Sequence, residues 1–278
     1  LLKAESIGDL IHAETELQKE QAVKLVQGNT SKYYDDLRKT LIKSLSYIEA
    51  KIDFAEDDLP EKVLKEVQIA VKNVHKDINK IIEDNKIGEK IRDGFRVSIT
   101  GEVNAGKSSL LNLIAKRDVA IVSDEAGTTR DVIETYLNIE GYPVILADTA
   151  GIREAKNEIE KKGISLALGK SKEADLNIVV IDNSSKIINN KIQKMINNDT
   201  IVLLNKSDIL DKQNHRFDAE TVLVSVKDNK NIDKAINIIK EKLSKKFTSN
   251  NTALITRERH RDKLQASLKE IDKFLKKD

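Results

Sequence analysis

Gly101-Glu102-Val103-Asn104-Ala105-Gly106-Lys107-Ser108 is the stretch whose reading decides the fold. Its spacing is G-x-x-x-x-G-K-[ST], that of a phosphate-binding loop. Phe95 to Thr100 just before it reads as a short strand, and Ser109 to Lys116 just after it opens a helix rich in Leu and Ile. Gly101 and Gly106 let the backbone turn tightly with its N–H groups facing inward, a concave nest for anionic oxygens. The N-terminus of the following helix adds partial positive charge at the same place. The cradle is expected to run through Asn104, Ala105, Gly106, Lys107, Ser108 and Ser109. Lys107 reaches for the β- and γ-phosphates, and the Ser108 hydroxyl takes a Mg²⁺ position.

Outward from the loop, residues 93–248 alternate β-rich runs with helices. The runs are 95–100, 132–139, 142–148, 176–182, 200–204 and 221–226. That alternation predicts an α/β sheet, mostly parallel and covered on both faces. Tyr136 to Pro143 carries a turn, so the second and third strands are expected to be antiparallel. Ile232, Ile236, Ile239 and Leu243 mark one face of a closing helix, and Lys245 to Thr252 reads as a polar linker.

Three further motifs fall at strand ends or in loops of this domain. Asp148-Thr149-Ala150-Gly151 follows the apolar run Val144–Ala147; an Asp there holds Mg²⁺ through water and the Gly151 N–H faces a γ-phosphate. Asn205-Lys206-Ser207-Asp208 ends the run Ile201–Leu204. A carboxylate at Asp208 accepts hydrogen bonds from guanine N1–H and its 2-amino group. Adenine lacks both donors, so the motif selects GTP over ATP. Asn205 and Lys206 are expected to hold the base edge and cover its face. In Ser225-Val226-Lys227 a backbone N–H is placed to meet the guanine carbonyl. Between the loop helix and the second strand lies Ser123-Asp124-Glu125-Ala126-Gly127-Thr128-Thr129, a polar segment placed to sense the nucleotide, with Thr129 as the second hydroxyl ligand of Mg²⁺. Ile152 stands where Ras-type GTPases carry a water-orienting Gln, so another group has to position the water.

The flanks are helical. Leu37, Leu41, Leu45, Ile48 and Ile52 follow one helical face, as do Val63, Val67, Val71, Val74, Ile78 and Ile81. Asp57 to Glu61 breaks these two helices. Gln27 to Thr30 is another break, with Thr30 or Ser31 as the expected cap of the helix that follows. Leu264, Leu268, Ile271 and Leu275 form one more apolar stripe, which needs a surface to bury it. The simplest surface is the N-terminal bundle. The expected organisation is therefore a helical domain in two parts, 1–92 and 253–278, with an α/β P-loop GTPase (Ras-like) domain of residues 93–248 inserted between them.

Composition narrows the classes. The chain has 278 residues, is 34% charged and 4% aromatic, and contains no Trp and two prolines. It has no cysteine, which excludes disulfides, thiol catalysis and Cys-ligated zinc, and fits a reducing cytoplasm. A net charge of +2 leaves any nucleic-acid contact to a local patch or a partner. No apolar run approaches the ~20 residues that span a bilayer. His12, His75, His215 and His260 show no metal-ligand spacing and read as structural or surface residues. From Arg257 to Lys277 eight basic residues face four acidic ones. A solvated helix face is the first reading of that run and a tRNA-facing surface the second.

Asn104 within the loop, Gly127-Thr128-Thr129-Arg130-Asp131 and Asp148-Thr149-Ala150-Gly151-Ile152-Arg153-Glu154 together resemble the MnmE (TrmE) family of bacterial tRNA-modification GTPases. So do Ile7-Gly8-Asp9-Leu10-Ile11, Leu25-Val26-Gln27-Gly28, Ile48 to Phe54 and Arg257-Glu258-Arg259-His260 in the helical flanks. The resemblance implies a potassium-dependent GTPase that forms a homodimer through its G domains. Asn104 would be a K⁺ ligand, with Ser123, Glu125 and Thr128 supplying further oxygens. Glu160 would orient the attacking water, filling the gap left by Ile152. GTP hydrolysis would be coupled to modification of the wobble uridine of certain tRNAs at C5, together with an MnmG-type flavoprotein and a folate one-carbon donor. Family members carry an N-terminal folate-binding domain and a C-terminal Cys motif that this sequence does not show, so it reads as a fragment of a longer polypeptide. Two alternatives stay open: an Era/Der-like ribosome-assembly GTPase, and a truncated GTP-binding remnant without modification activity.

Overall fold

The computed structural model describes residues 1–54, 62–83, 86–117, 134–148, 173–185, 188–209, 215–247 and 254–276. The chain forms two compact units, one of Leu1–Arg92 with Ser249–Asp278 and one of Asp93–Thr248.

Among the described residues the regular elements of the first unit are helices: α1 (Leu2–Ile11), α2 (Glu16–Val26), α3 (Asn29–Asp53), α4 (Lys62–Ile82), α5 (Ile87–Asp93) and, from the far end of the chain, α9 (Glu258–Leu275). The start of α2 is set by a capping box: the Gln18 N–H donates to Thr15 Oγ1 at 3.3 Å and the Thr15 N–H donates to Gln18 Oε1 at 3.1 Å. At the next break α3 begins one residue before Thr30. Its N-cap is Gly28, at φ 86° and without a side-chain cap, so neither Thr30 nor Ser31 takes the expected capping role. The left-handed backbone that only glycine adopts cheaply sets this boundary.

The core of the unit is the α4 stripe Val67, Val71, Val74 and Ile78 packed with Ile271, and Leu37, Leu41, Ile48, Leu264, Leu268 and Leu275 close around it. The last helix thus buries its apolar stripe against α3 and α4. Leu45 and Ile52, expected on the same face, are 53% and 69% exposed. At 100° per residue Leu45 lies about 80° and Ile52 about 60° round the helix from Leu37, whereas Ile48 lies only about 20° away. The stripe is therefore wide, and only one edge of it meets the core. The expected break at Asp57 to Glu61 lies outside the described residues.

The second unit carries a six-stranded sheet in the order β2-β3-β1-β4-β5-β6. The strands are β1 (Phe95–Gly101), β2 (Glu134–Ile139), β3 (Tyr142–Asp148), β4 (Leu176–Asp182), β5 (Thr200–Asn205) and β6 (Glu220–Leu223). All neighbours are parallel except β2 and β3. That pair turns over Glu140 and Gly141, both at positive φ (50° and 92°), the geometry that follows the twist of a two-residue hairpin. Central strands are buried on both faces, all six residues of β5 among them. Among the described residues the unit's helices are α6 (Lys107–Ala115), the short α7 (Asn190–Gln193) and α8 (Ile232–Phe247). Ile232, Ile239 and Leu243 of α8 are buried. Two boundaries differ from expectation. The helix continues through Lys245 to Phe247, the start of the expected linker, and β6 stops at Leu223, because Ser225 leaves the ladder to bridge with Lys230.

Candidate functional site

Strand β1 lies between β3 and β4, so the chain leaves it to both sides. In an open α/β sheet that reversal leaves a crevice at the carboxyl ends of the strands. Here a cleft of about 770 Å³ opens there, lined by Asn104, Gly106 and Ser109 on one side and Lys206, Asp208 and Val226 on the other.

The phosphate-loop motif builds the first side. Gly101 has φ 147°, and a Cβ there would strike the Val180 backbone; Gly106 has φ 98°, and a Cβ there would strike the Asn205 side-chain amide. Both glycines are thus required by contact as well as by conformation. Asn104 takes a left-handed backbone, φ 60°, without being glycine. The Lys107 ammonium donates to the carbonyls of Gly101 (3.1 Å) and Glu102 (2.6 Å), so it sits folded over the loop it is expected to serve. Ser108 and Ser109 are exposed in the first turn of α6, and Ala105 is fully buried beneath them.

The Asn205–Asp208 tetrapeptide builds the other side. Asp208 Oδ1 accepts from Ser225 Oγ at 2.7 Å. That hydrogen bond, with its own backbone N–H and the charges of Lys227 and Lys206, holds the Asp208 carboxyl below the usual carboxylate range, and its solvent exposure leaves little desolvation to oppose this. Lys206 has φ 63° and pairs with Asp182 at 2.6 Å. Ser207 donates its N–H to Val224 O.

Asn205 has a structural role that the sequence reading did not include. It lines the cleft but is 3% exposed. Its Nδ2 donates to Ala105 O at 2.8 Å, and its Oδ1 accepts from the Val226 N–H at 3.0 Å. These two bonds brace the phosphate loop against the turn after β6, and the amide keeps a second N–H and a second lone pair beyond them.

Sequence reasoning missed Asn112, Leu113 and Lys116, which also line the cleft. With Ser109 they fall at i, i+3, i+4 and i+7 on α6, so the helical period would have found them. It missed Asp182 as well. Asp148 is the last residue of β3, with its backbone beside Ile99 of β1. Ser123, Asp124, Glu125, Ala126, Gly127, Thr128, Thr129, Thr149, Ala150, Gly151, Ile152 and Glu160 lie outside the described residues.

The basic run in α9 is only partly solvated. Arg257 pairs with Glu5 (3.3 Å) and Asp9 (2.7 Å), Arg259 pairs with Glu5, and buried Arg261 pairs with Glu89 at 3.0 Å. The histidines have local partners: His12 with Gly8 O, His75 with Asp272, His215 with Ser185 O and His260 with Glu5.

A family model described as the MnmE helical domain matches residues 1–277. The chain belongs to the MnmE family. It is 51% identical over 283 residues to the tRNA modification GTPase MnmE of Pelagibacter ubique, covering 100% of this chain and 63% of that protein. It is 42% identical to the protein of the same name from a Wolbachia of Drosophila simulans, covering 99% of this chain and 62% of the relative. The MnmE of Rickettsia bellii is 41% identical over 281 residues, with 99% of this chain and 63% of that one covered. The chain thus spans somewhat under two thirds of the length of these MnmE relatives.

Proposed function

We propose that the cleft binds a guanine nucleotide and that the chain hydrolyses GTP to GDP and phosphate, coupled to tRNA modification. The observation that carries this reading is the convergence of the phosphate loop, at Asn104 and Gly106, with the ionised Asp208 carboxylate on one cleft. Loop N–H groups and the α6 N-terminus bind the phosphates, and Asp208 reads the base. Lys107 exchanges its two carbonyl partners for phosphate oxygens as the nucleotide seats. The relatives are named tRNA modification GTPases, which supports the coupling.

Ser108 is exposed in the first turn of α6, close in sequence to the loop glycines, and so fits a Mg²⁺ position; Thr129 and Asp148 would complete it. Mg²⁺ when bound offsets charge on the phosphate oxygens. Asn104, exposed and on the cleft, fits an oxygen donor to K⁺, with Ser123, Glu125 and Thr128 as its partners. Glu160 orients the attacking water, since Ile152 has no group to do so. The G domains pair as a homodimer in the cytoplasm, and an MnmG-type flavoprotein joins in modifying the wobble uridine of tRNA at C5. Among the described residues no helix is long and apolar enough to cross a membrane.

A potassium titration of GTP hydrolysis tests the reading. Turnover should rise strongly with K⁺ over Na⁺ and fall at least about tenfold in Asn104→Ala and in Glu160→Ala, the scale of one positioned catalytic group. Turnover indifferent to K⁺, with the chain co-sedimenting with ribosomes, would point instead to an Era/Der-like assembly factor.

A further inference from the structure

Asp182 ends β4, in register beside Asn205 at the end of β5. It is not among the residues that line the cleft, yet it grips one that is. Its Oδ2 accepts from Lys206 Nζ at 2.6 Å. Its Oδ1 accepts from the Ser184 backbone N–H at 3.0 Å and from Ser184 Oγ at 2.7 Å. Burial pushes this carboxyl up, but Lys206 and Ser184 outweigh it and hold the group below its ordinary range. The carboxylate is therefore ionised and fixed by three donors.

The pair is not needed to join the strands. β4 and β5 are already laddered from Asn177 to Asp182 against Thr200 to Asn205, and the Asn183 N–H donates to Asn205 O at 2.9 Å. What the pair does determine is where a flexible cation goes. Lys206 stands two residues before Asp208, and its charge is felt at the Asp208 carboxyl. A lysine with three donors on a long stem will pair with either carboxylate unless one of them holds it.

We propose that Asp182 is a positioning residue for the base end of the cleft. It keeps the Lys206 ammonium on the β4 side, so that the methylene stem walls the cleft and Asp208 stays open to the base. This rests on the guanine-nucleotide reading above. Without Asp182, the Lys206 ammonium swings to Asp208 and competes with the guanine edge.

The test is equilibrium titration with GDP and IDP of the wild-type chain, Asp182→Asn, Asp182→Glu, Lys206→Met and the Asp182→Asn/Lys206→Met double variant. Asn is nearly isosteric with Asp, and the melting temperature checks that each variant folds. Asp182→Asn should weaken GDP by about three- to tenfold, the scale of one lost polar pairing. It should weaken IDP less, because hypoxanthine has no 2-amino group to lose. Asp182→Glu should recover part of the GDP affinity. In the Lys206→Met background Asp182→Asn should cost nothing more, since the competing ammonium is gone. Wild-type affinity in Asp182→Asn overturns the proposal. So do equal losses for GDP and IDP, or losses that multiply in the double variant, which are the marks of a strap between strands. A wild-type chain that binds no GDP overturns the nucleotide reading and this inference with it, and is recognised by the wild-type curve alone.

Discussion

Asn205 is the residue on which the two sides of the cleft meet, and its bracing bonds are an addition to what its motif announces. Its type and motif were legible; the brace was not, because it depends on Ala105, which lies a hundred positions away after β1, with β4 between β1 and β5. Asn205→Ala removes two hydrogen bonds at a buried site and strands the Ala105 carbonyl and the Val226 N–H. The expected cost is about 2–4 kcal/mol of unfolding free energy for the α/β unit, read by urea denaturation, together with weaker GDP binding. Gly106→Ala places a methyl group against that same amide at a backbone angle alanine avoids. Nucleotide binding should be abolished in this variant even where circular dichroism shows the fold retained; GDP affinity within about twofold of wild type would remove the contact argument.

At the scale of elements, a capping box sets the start of α2, and left-handed glycines set the starts of α3 and α6. The strands were legible as apolar runs between turn residues. The end of β6 was not, because Ser225 turns off the ladder through a bridge to Lys230 that no local pattern announces. The face of α3 was over-read because a wide apolar stripe does not say which of its edges is covered. The Thr15–Gln18 box has a readable signature, and Thr15→Ala should lower helical-unit stability by about 1 kcal/mol in urea denaturation.

The start of α9 carries a pH dependence. His260 faces Glu5, Arg257 and Arg259; burial holds its pKa below 6.5 despite the pull of Glu5. Glu5 is pushed up by burial, but Arg259, His260 and Arg257 bring it net below 4.5. Both groups thus bind protons more readily in the unfolded chain, so stability rises with pH across each window. The helical unit should lose stability as pH falls below 6.5 through His260, and again below 4.5 through Glu5. Denaturation followed by circular dichroism between pH 7.5 and 5 should show a slope that flattens in His260→Gln. An unchanged slope would mean that His260 is not the titrating group.

For the whole molecule, two compact units divide the labour. One core is completed by the last helix of the chain, and the cleft is built wholly from residues 93–248. The sequence announced this division through a change from helical to alternating pattern near residue 93 and through an apolar stripe at 264–275 with nothing local to cover it. It did not announce that the basic residues around Arg257 would be spent on Glu5, Asp9 and Glu89, since ion pairing across some 170 to 250 positions leaves no local trace. Ile271→Ala should destabilise the helical unit by about 2–4 kcal/mol in thermal or urea melts while GDP affinity stays within about twofold of wild type.

The central claim is that Asp208 reads the base of a nucleotide whose phosphates lie in the 101–108 loop. Titration of wild-type and Asp208→Asn chains with GDP and XDP tests it most directly. An Asn amide donates to the C2 carbonyl of xanthine, where Asp accepts from the 2-amino group of guanine. Wild type should prefer GDP and the variant XDP, each by about tenfold or more. A variant that keeps wild-type GDP affinity, with no gain for XDP, would contradict it.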